Sequence, residues 1–160
     1  MKMKKLLIIS IALICFSCDY NQEKNEFPKT QIKEEISIMM RNFVDDLNKS
    51  GVNSQIKYLD NSEDFRWTYS NERKIYQFND LVKKFNNSKI EDYDVHLSFD
   101  ELQIIPISEN IANYNLKLSG YTKNEGKNTD ISILESGTLI KRNDEWKFLN
   151  MQTATYDKIL

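Results

Sequence analysis

The sequence predicts an α+β domain, and three observations carry that reading. Apolar residues at helical spacing are confined to the part of the chain before residue 86. From Tyr93 onward the pattern is that of strands, with apolar and polar residues alternating. The chain then closes on a hairpin pattern, Gly137 to Ala154, with a polar turn at Asn143-Asp144 and Trp146 just inside the second arm. Helices gathered ahead of a run of strands indicate α+β rather than α/β.

The chain begins with a targeting pattern. Lys2, Lys4 and Lys5 precede an apolar run from Leu6 to Phe16. That run suits the ~7–15 residues of a signal h-region and falls short of the ~20 needed to span a bilayer. Both cysteines, Cys15 and Cys18, lie here, so the domain that follows cannot form an internal disulfide. The segment Ile14-Cys15-Phe16-Ser17-Cys18 resembles a bacterial lipobox, with Cys15 where the pattern prefers Leu. The resemblance implies cleavage after Ser17 and lipid on Cys18, with several acyl chains at ~0.8 kcal/mol per buried CH₂ making a firm anchor. The expected organisation is a signal peptide at 1–17, a tether at 18–27 and one domain at 28–157. The expected location is the bacterial cell envelope, at the outer membrane, on its periplasmic or surface face.

Asp19 to Phe27 is polar and lacks periodicity, as a tether does, and Pro28 closes it. Ile32, Ile36, Met39/Met40, Phe43 and Leu47 then recur every three to four residues, one face of a helix. Thr30 is the expected N-cap, Glu34 and Glu35 suit a first turn, and Gly51 is the stop. Val52, Ile56 and Leu59 predict a second, shorter helix. Phe65, Trp67 and Tyr69 alternate with Arg66 and Thr68, as in a half-buried strand. A short strand at Lys74 to Gln77 and a helix from Asp80 to Phe85, capped by Asn79, come next. Tyr93 to Ile107 is a strand in which Pro106 implies a bulge or an edge position. Ala112, Tyr114, Leu116 and Leu118 form the apolar face of the next strand, and Lys123 to Asn128 is a loop. Ile131 to Arg142 is a strand with apolar residues in both phases, and Gly137 marks a bulge in it. In the last strand, simple alternation puts Trp146, Phe148, Asn150, Gln152 and Ala154 on one face.

Composition excludes several chemistries. A net charge of −2 with scattered Lys and Arg gives no basic stripe for nucleic acid. There is one histidine, His96, on the strand face of Asp94, Ser98 and Asp100, opposite Val95/Leu97/Phe99. With the apolar face on the core, His96 points outward. Zinc would lack ligands. No G-x-S-x-G elbow presents a serine, and no glycine-rich loop cradles phosphate. No cofactor is implied.

The element order, ending in Gly137-Thr138-Leu139 and Asp144-Glu145-Trp146-Lys147-Phe148, resembles the NTF2-like superfamily, most closely its SnoaL-like branch. The resemblance covers Pro28 to Asp157 and implies a cone of strongly curved sheet, closed by an N-terminal helix, with a pocket in its mouth. Where the family's last strand often carries histidines, this chain has Asn150 and Gln152, amides without a pKa near 7. Nor does the first helix bring a tyrosine, as in the steroid-isomerase-like branch. The resemblance therefore implies a pocket without the family's usual catalyst. Aromatic walls with a few polar groups are the composition of a small-molecule site, and the expected lining is Trp67, Tyr69, Tyr114, Asn150 and Gln152. The expected function is a lipid-anchored, non-catalytic domain binding a small apolar or amphipathic ligand or an envelope protein. The alternative is an isomerase, dehydratase or cyclase using a carboxylate in the cone, for which Asp60, Asp64 and Glu135 are the candidates. Homodimerisation through the outer sheet, common in this fold, is a further partner expectation, although the Asp94/His96/Asp100 face is polar.

Overall fold

The first helix, α1 (Lys29–Ser50), presents Ile32, Ile36, Met40, Phe43, Val44 and Leu47 as one buried stripe in the computed structural model. The structure describes residues 27–70, 72, 74–87, 94–124 and 126–157; Cys18, with the whole targeting segment, and Tyr93 lie outside them. Gly51 ends α1 with φ 71, and its N–H donates to the Leu47 carbonyl at 2.8 Å. Glycine takes that left-handed conformation without a Cβ clash. The start differs from expectation. The helix has begun by Lys29, and Ile32 N–H bonds to the carbonyl of Pro28 at 3.0 Å. Proline serves there because its missing N–H has no partner to lose. Thr30 is thus inside the helix, and Glu35 is free to reach across to the sheet.

Val52–Tyr58 winds as a 3-10 helix rather than an α-helix. After it come β1 (Arg66–Tyr69), β2 (Ile75–Tyr76) and α2 (Phe78–Asn87), which starts two residues before the predicted Asp80. Then β3 (Asp94–Pro106), β4 (Ile111–Asn124), β5 (Lys127–Arg142) and β6 (Glu145–Asp157) form a long antiparallel meander. The six-stranded sheet has the order β2-β1-β6-β5-β4-β3. β1 lies along the free side of β6 and runs parallel to it, with Trp67 opposite Met151. The β4–β5 ladder reaches Asn124 and Lys127, so much of the expected Lys123 to Asn128 loop is paired strand. In β3 the irregularity falls between Phe99 and Glu101, not at Pro106, which pairs with Ala112 at the end of an edge strand.

The β5–β6 hairpin turns at Asn143 (φ 50) and Asp144 (φ 63), both left-handed as their residue types suggested. Its register then slips. Leu139 pairs with Phe148 but Thr138 pairs with Asn150, leaving Leu149 as an extra residue. An extra residue reverses every later side chain. Trp146 and Phe148 are buried before the bulge, Met151 and Thr153 after it, while Gln152 is exposed. The expected single face from Trp146 to Ala154 is therefore broken in two, with Asn150, Gln152 and Ala154 turned outward. Gly137 does sit at this bulge, though the added residue belongs to β6. A Cβ on Gly137 would stand 2.0 Å from the Asn150 carbonyl oxygen, a clash that only glycine avoids.

The inner face of the sheet packs on α1. Phe43 meets Phe148 edge-on with ring centroids 4.9 Å apart, and Phe148 meets Tyr114 at 5.4 Å. Trp67 packs on Phe85 of α2 at 6.1 Å.

Candidate functional site

The strand registers bring inward-facing residues into cross-strand rows. One row is Trp67, Met151, Gly137, Tyr114 and Ile104; the next is Tyr69, Thr153, Glu135, Leu116 and Leu102. Glu135 thus stands on the inner face, 8% exposed, among apolar neighbours. Tyr114 Oη donates to its Oε1 at 2.8 Å, and Thr153 Oγ1 donates to its Oε2 at 2.7 Å. Thr153 in turn accepts from Trp67 Nε1 at 2.8 Å. The four side chains form one buried chain of hydrogen bonds across β1, β6, β5 and β4.

Burial is the dominant influence on this carboxyl, pushing its pKa up to about 6 against the two hydrogen bonds that favour the charged form. Tyr114 is held well above the ordinary tyrosine value, first by burial and then by the Glu135 charge. Tyr69, stacked on Trp67 at 4.8 Å, is raised for the same two reasons. Beyond the Glu135 row the inner face continues through Leu118, Ile133 and Ile131. Ile131 and Ile133 are only half-buried, as are Phe99 and Val95 on β3.

Solved structures share this architecture. A ketosteroid isomerase-like protein from Erwinia carotovora atroseptica superposes with a TM-score of 0.63 at 15% identity, covering 76% of this chain and 94% of its own. A candidate scytalone dehydratase from Novosphingobium aromaticivorans gives 0.66 at 17% identity, covering 82% and 91%. An NTF-2 like protein of unknown function from Shewanella oneidensis gives 0.62 at 12% identity, covering 77% and 98%. The fold is the NTF2-like cone. No protein-family model matches the sequence, and no curated protein matches it.

Within the cone the residues singled out from sequence part company. Trp67 (2% exposed), Tyr69 and Tyr114 (1% exposed) face the interior and meet in the two inner rows. Asn150 and Gln152 face the other way because of the Leu149 bulge, and Gln152 lines a groove on the outer face. Of the three carboxylates, Asp64 is exposed in the turn before β1. Asp60 is buried beside the β5–β6 turn, paired with Arg142 Nε at 2.8 Å and hydrogen-bonded by Ser62. Glu135 alone of the three joins the inner rows. Thr153 was missed altogether. The signal for Glu135 was the phase Ile131, Ile133, Glu135, Gly137, Leu139, in which an acid interrupts an apolar alternation; Thr153 reaches it only through the β5–β6 register. His96 lies on the outer face as expected, half-buried against the Tyr121 ring at 4.8 Å.

Proposed function

We propose that this chain is a non-catalytic NTF2-like binding domain, held at the cell envelope by lipid on Cys18, that takes a small amphipathic ligand on its inner face. The observation that carries the non-catalytic reading is the closed hydrogen-bond chain. Both Glu135 oxygens accept bonds from Tyr114 and Thr153, and Thr153 is itself bonded by Trp67. Among the described residues no buried side-chain nitrogen or oxygen lacks a partner. A catalytic group is ordinarily presented to substrate; this one is spoken for. The apolar half-buried residues Ile131, Ile133 and Phe99 beside it supply a lining for an apolar ligand, with Tyr69 at the edge. The lipobox-like segment supports the anchor, and Cys18→Ser should move the protein from membrane to soluble fractions and end its labelling by radioactive palmitate. Binding is tested by displacement of the dye 1-anilinonaphthalene-8-sulfonate with decanoate. Displacement that is lost in Ile133→Lys supports the reading; a protein that binds neither dye nor decanoate removes it.

A second reading is favoured by the raised Glu135. A carboxyl with a pKa of about 6 inside a cone is suited to proton transfer near neutral pH. In this version the domain is an isomerase, dehydratase or cyclase with Glu135 as the acid–base group and Tyr114 as its hydrogen-bonding neighbour. Deuterium exchange next to the carbonyl of cyclic enones, present in the native protein and absent in Glu135→Gln, would establish it in place of the first.

A further inference from the structure

We propose that the outer half of the β3 edge pairs with the same edge of a second copy, joining two sheets about a two-fold axis. β3 is an edge strand, and only one end of it is guarded. Near the end of α1, Asn48 bonds the Leu97 N–H and carbonyl, both at 2.8 Å. The helix crosses the sheet between there and the β5–β6 hairpin, where Glu35 accepts from Lys141 at 2.8 Å and Trp146 at 3.0 Å. That path leaves the other end of β3 uncovered, and there Ile105 and Ile107 are 42% and 53% exposed.

The ladder shows which backbone groups stand open. Ile107 N–H donates to the Ile111 carbonyl at 2.8 Å, so Ile107 faces β4. Bonded and non-bonded pairs alternate along antiparallel strands, so Gln103 and Ile105 face β4 as well. Leu102, Ile104 and Pro106 therefore turn their backbone groups to the edge, and Pro106 has no N–H to leave unpaired. The open window is bounded by Pro106 on one side and by the irregularity between Phe99 and Glu101 on the other. Among the described residues no side chain bonds Leu102 or Ile104 there as Asn48 bonds Leu97.

This window is complementary to itself, as a two-fold interface requires. Setting Leu102 opposite Ile104 of the other copy pairs both N–H groups and both carbonyls of each window. It places Gln103 against Gln103 on the axis, in the close non-bonded position of ~4.5 Å between Cα atoms. Glu101 then meets Ile105, and no acid opposes an acid. A register shifted by two residues brings Pro106 or the Phe99/Glu101 irregularity into a bonding position and loses bonds. The contact is short, which puts it in the weak class of interfaces below ~1,200 Å². It extends the sheet and leaves the outer face uncovered.

Sedimentation velocity of the protein carrying Cys15→Ser and Cys18→Ser tests this. The expected result is a monomer–dimer equilibrium with a dissociation constant below about 1 mM. Leu102→Pro removes an edge-facing N–H without touching a bond to β4, and Gln103→Lys opposes two like charges on the axis. Each should weaken the dimer by at least about tenfold. Gln103 is exposed, so Gln103→Lys should keep the native circular dichroism spectrum. In the same cysteine-free background, Gln103→Cys should yield a disulfide-linked dimer on mild oxidation, because Cα atoms ~4.5 Å apart are within reach of that bond. The proposal is overturned if the protein stays monomeric at about 1 mM, or if Gln103→Cys remains unlinked while the protein dimerises. A dimer that tolerates both Leu102→Pro and Gln103→Lys also overturns it, since the pairing would then lie on another face.

Discussion

At the scale of single residues, Glu135 and Glu35 give the molecule pH dependences of opposite sign. The folded pKa of Glu135, about 6, lies above the ordinary 4.5, so the native state holds this proton more tightly than the unfolded chain. Its contribution to stability is full below pH 4.5 and is lost as pH rises through 6. The loss amounts to about 2 kcal/mol at one unit per ~1.4 kcal/mol. Glu135→Gln should therefore flatten the pH dependence of urea unfolding between 4.5 and 6 and raise stability at pH 7; an unchanged slope would place the titrating group elsewhere. Glu35 behaves in the opposite sense. Hydrogen bonds from Lys141, Trp146 and Gln31 hold it down to about 2. Its stabilisation is present above 4.5 and fades as pH falls towards 2. Lys141 Nζ stands 2.8 Å from Glu35, partly in solvent, so Lys141→Met should cost only about 1 kcal/mol, read at neutral pH.

At the scale of elements, the β5–β6 hairpin decides which residues reach the interior, and its bulge decides how. Met151 is buried and Gln152 exposed only because Leu149 is extra. Met151→Lys should cost about 3–5 kcal/mol, because it strands a charge in the core. Gln152→Lys should leave the melting temperature nearly unchanged. Simple alternation predicts the reverse, so comparing the two variants settles the register. Gly137→Ala should cost about 3 kcal/mol or more, since the methyl meets the Asn150 carbonyl. The element types, their order, the α1 stripe and the Asn143-Asp144 turn were all legible in the sequence, being written in local periodicity and turn chemistry. The phase of β6 after Leu149 was not. A bulge is fixed by the partner strand, and its local trace was one glycine on β5. The same limit hid the polar chain: Glu135 and Thr153 become neighbours only through pairing, and Asn150 and Gln152 stood in their place in the sequence-based site.

At the scale of the whole molecule, the cone must close its sheet at both sides. On one side β1 runs parallel to β6, a long-range pairing between residues 66–69 and 150–153 that no local pattern announces. On the other side β3 is an edge of 13 residues, long enough to recruit another strand. The chain protects it with one side chain of α1. Asn48 Nδ2 donates to the Leu97 carbonyl and its Oδ1 accepts from the Leu97 N–H, both at 2.8 Å. That pair imitates the ladder of a missing strand and pins the helix to the edge at the same time. Asn48→Ala removes both bonds and leaves two backbone groups in a partly buried place without partners. The expected cost is about 1–3 kcal/mol. Amide exchange should accelerate at Leu97 first, while Phe148 and Met151 in the middle of the sheet keep their protection up to the global unfolding limit. Uniform acceleration across the sheet would mean that Asn48 supports the fold as a whole rather than guarding its edge.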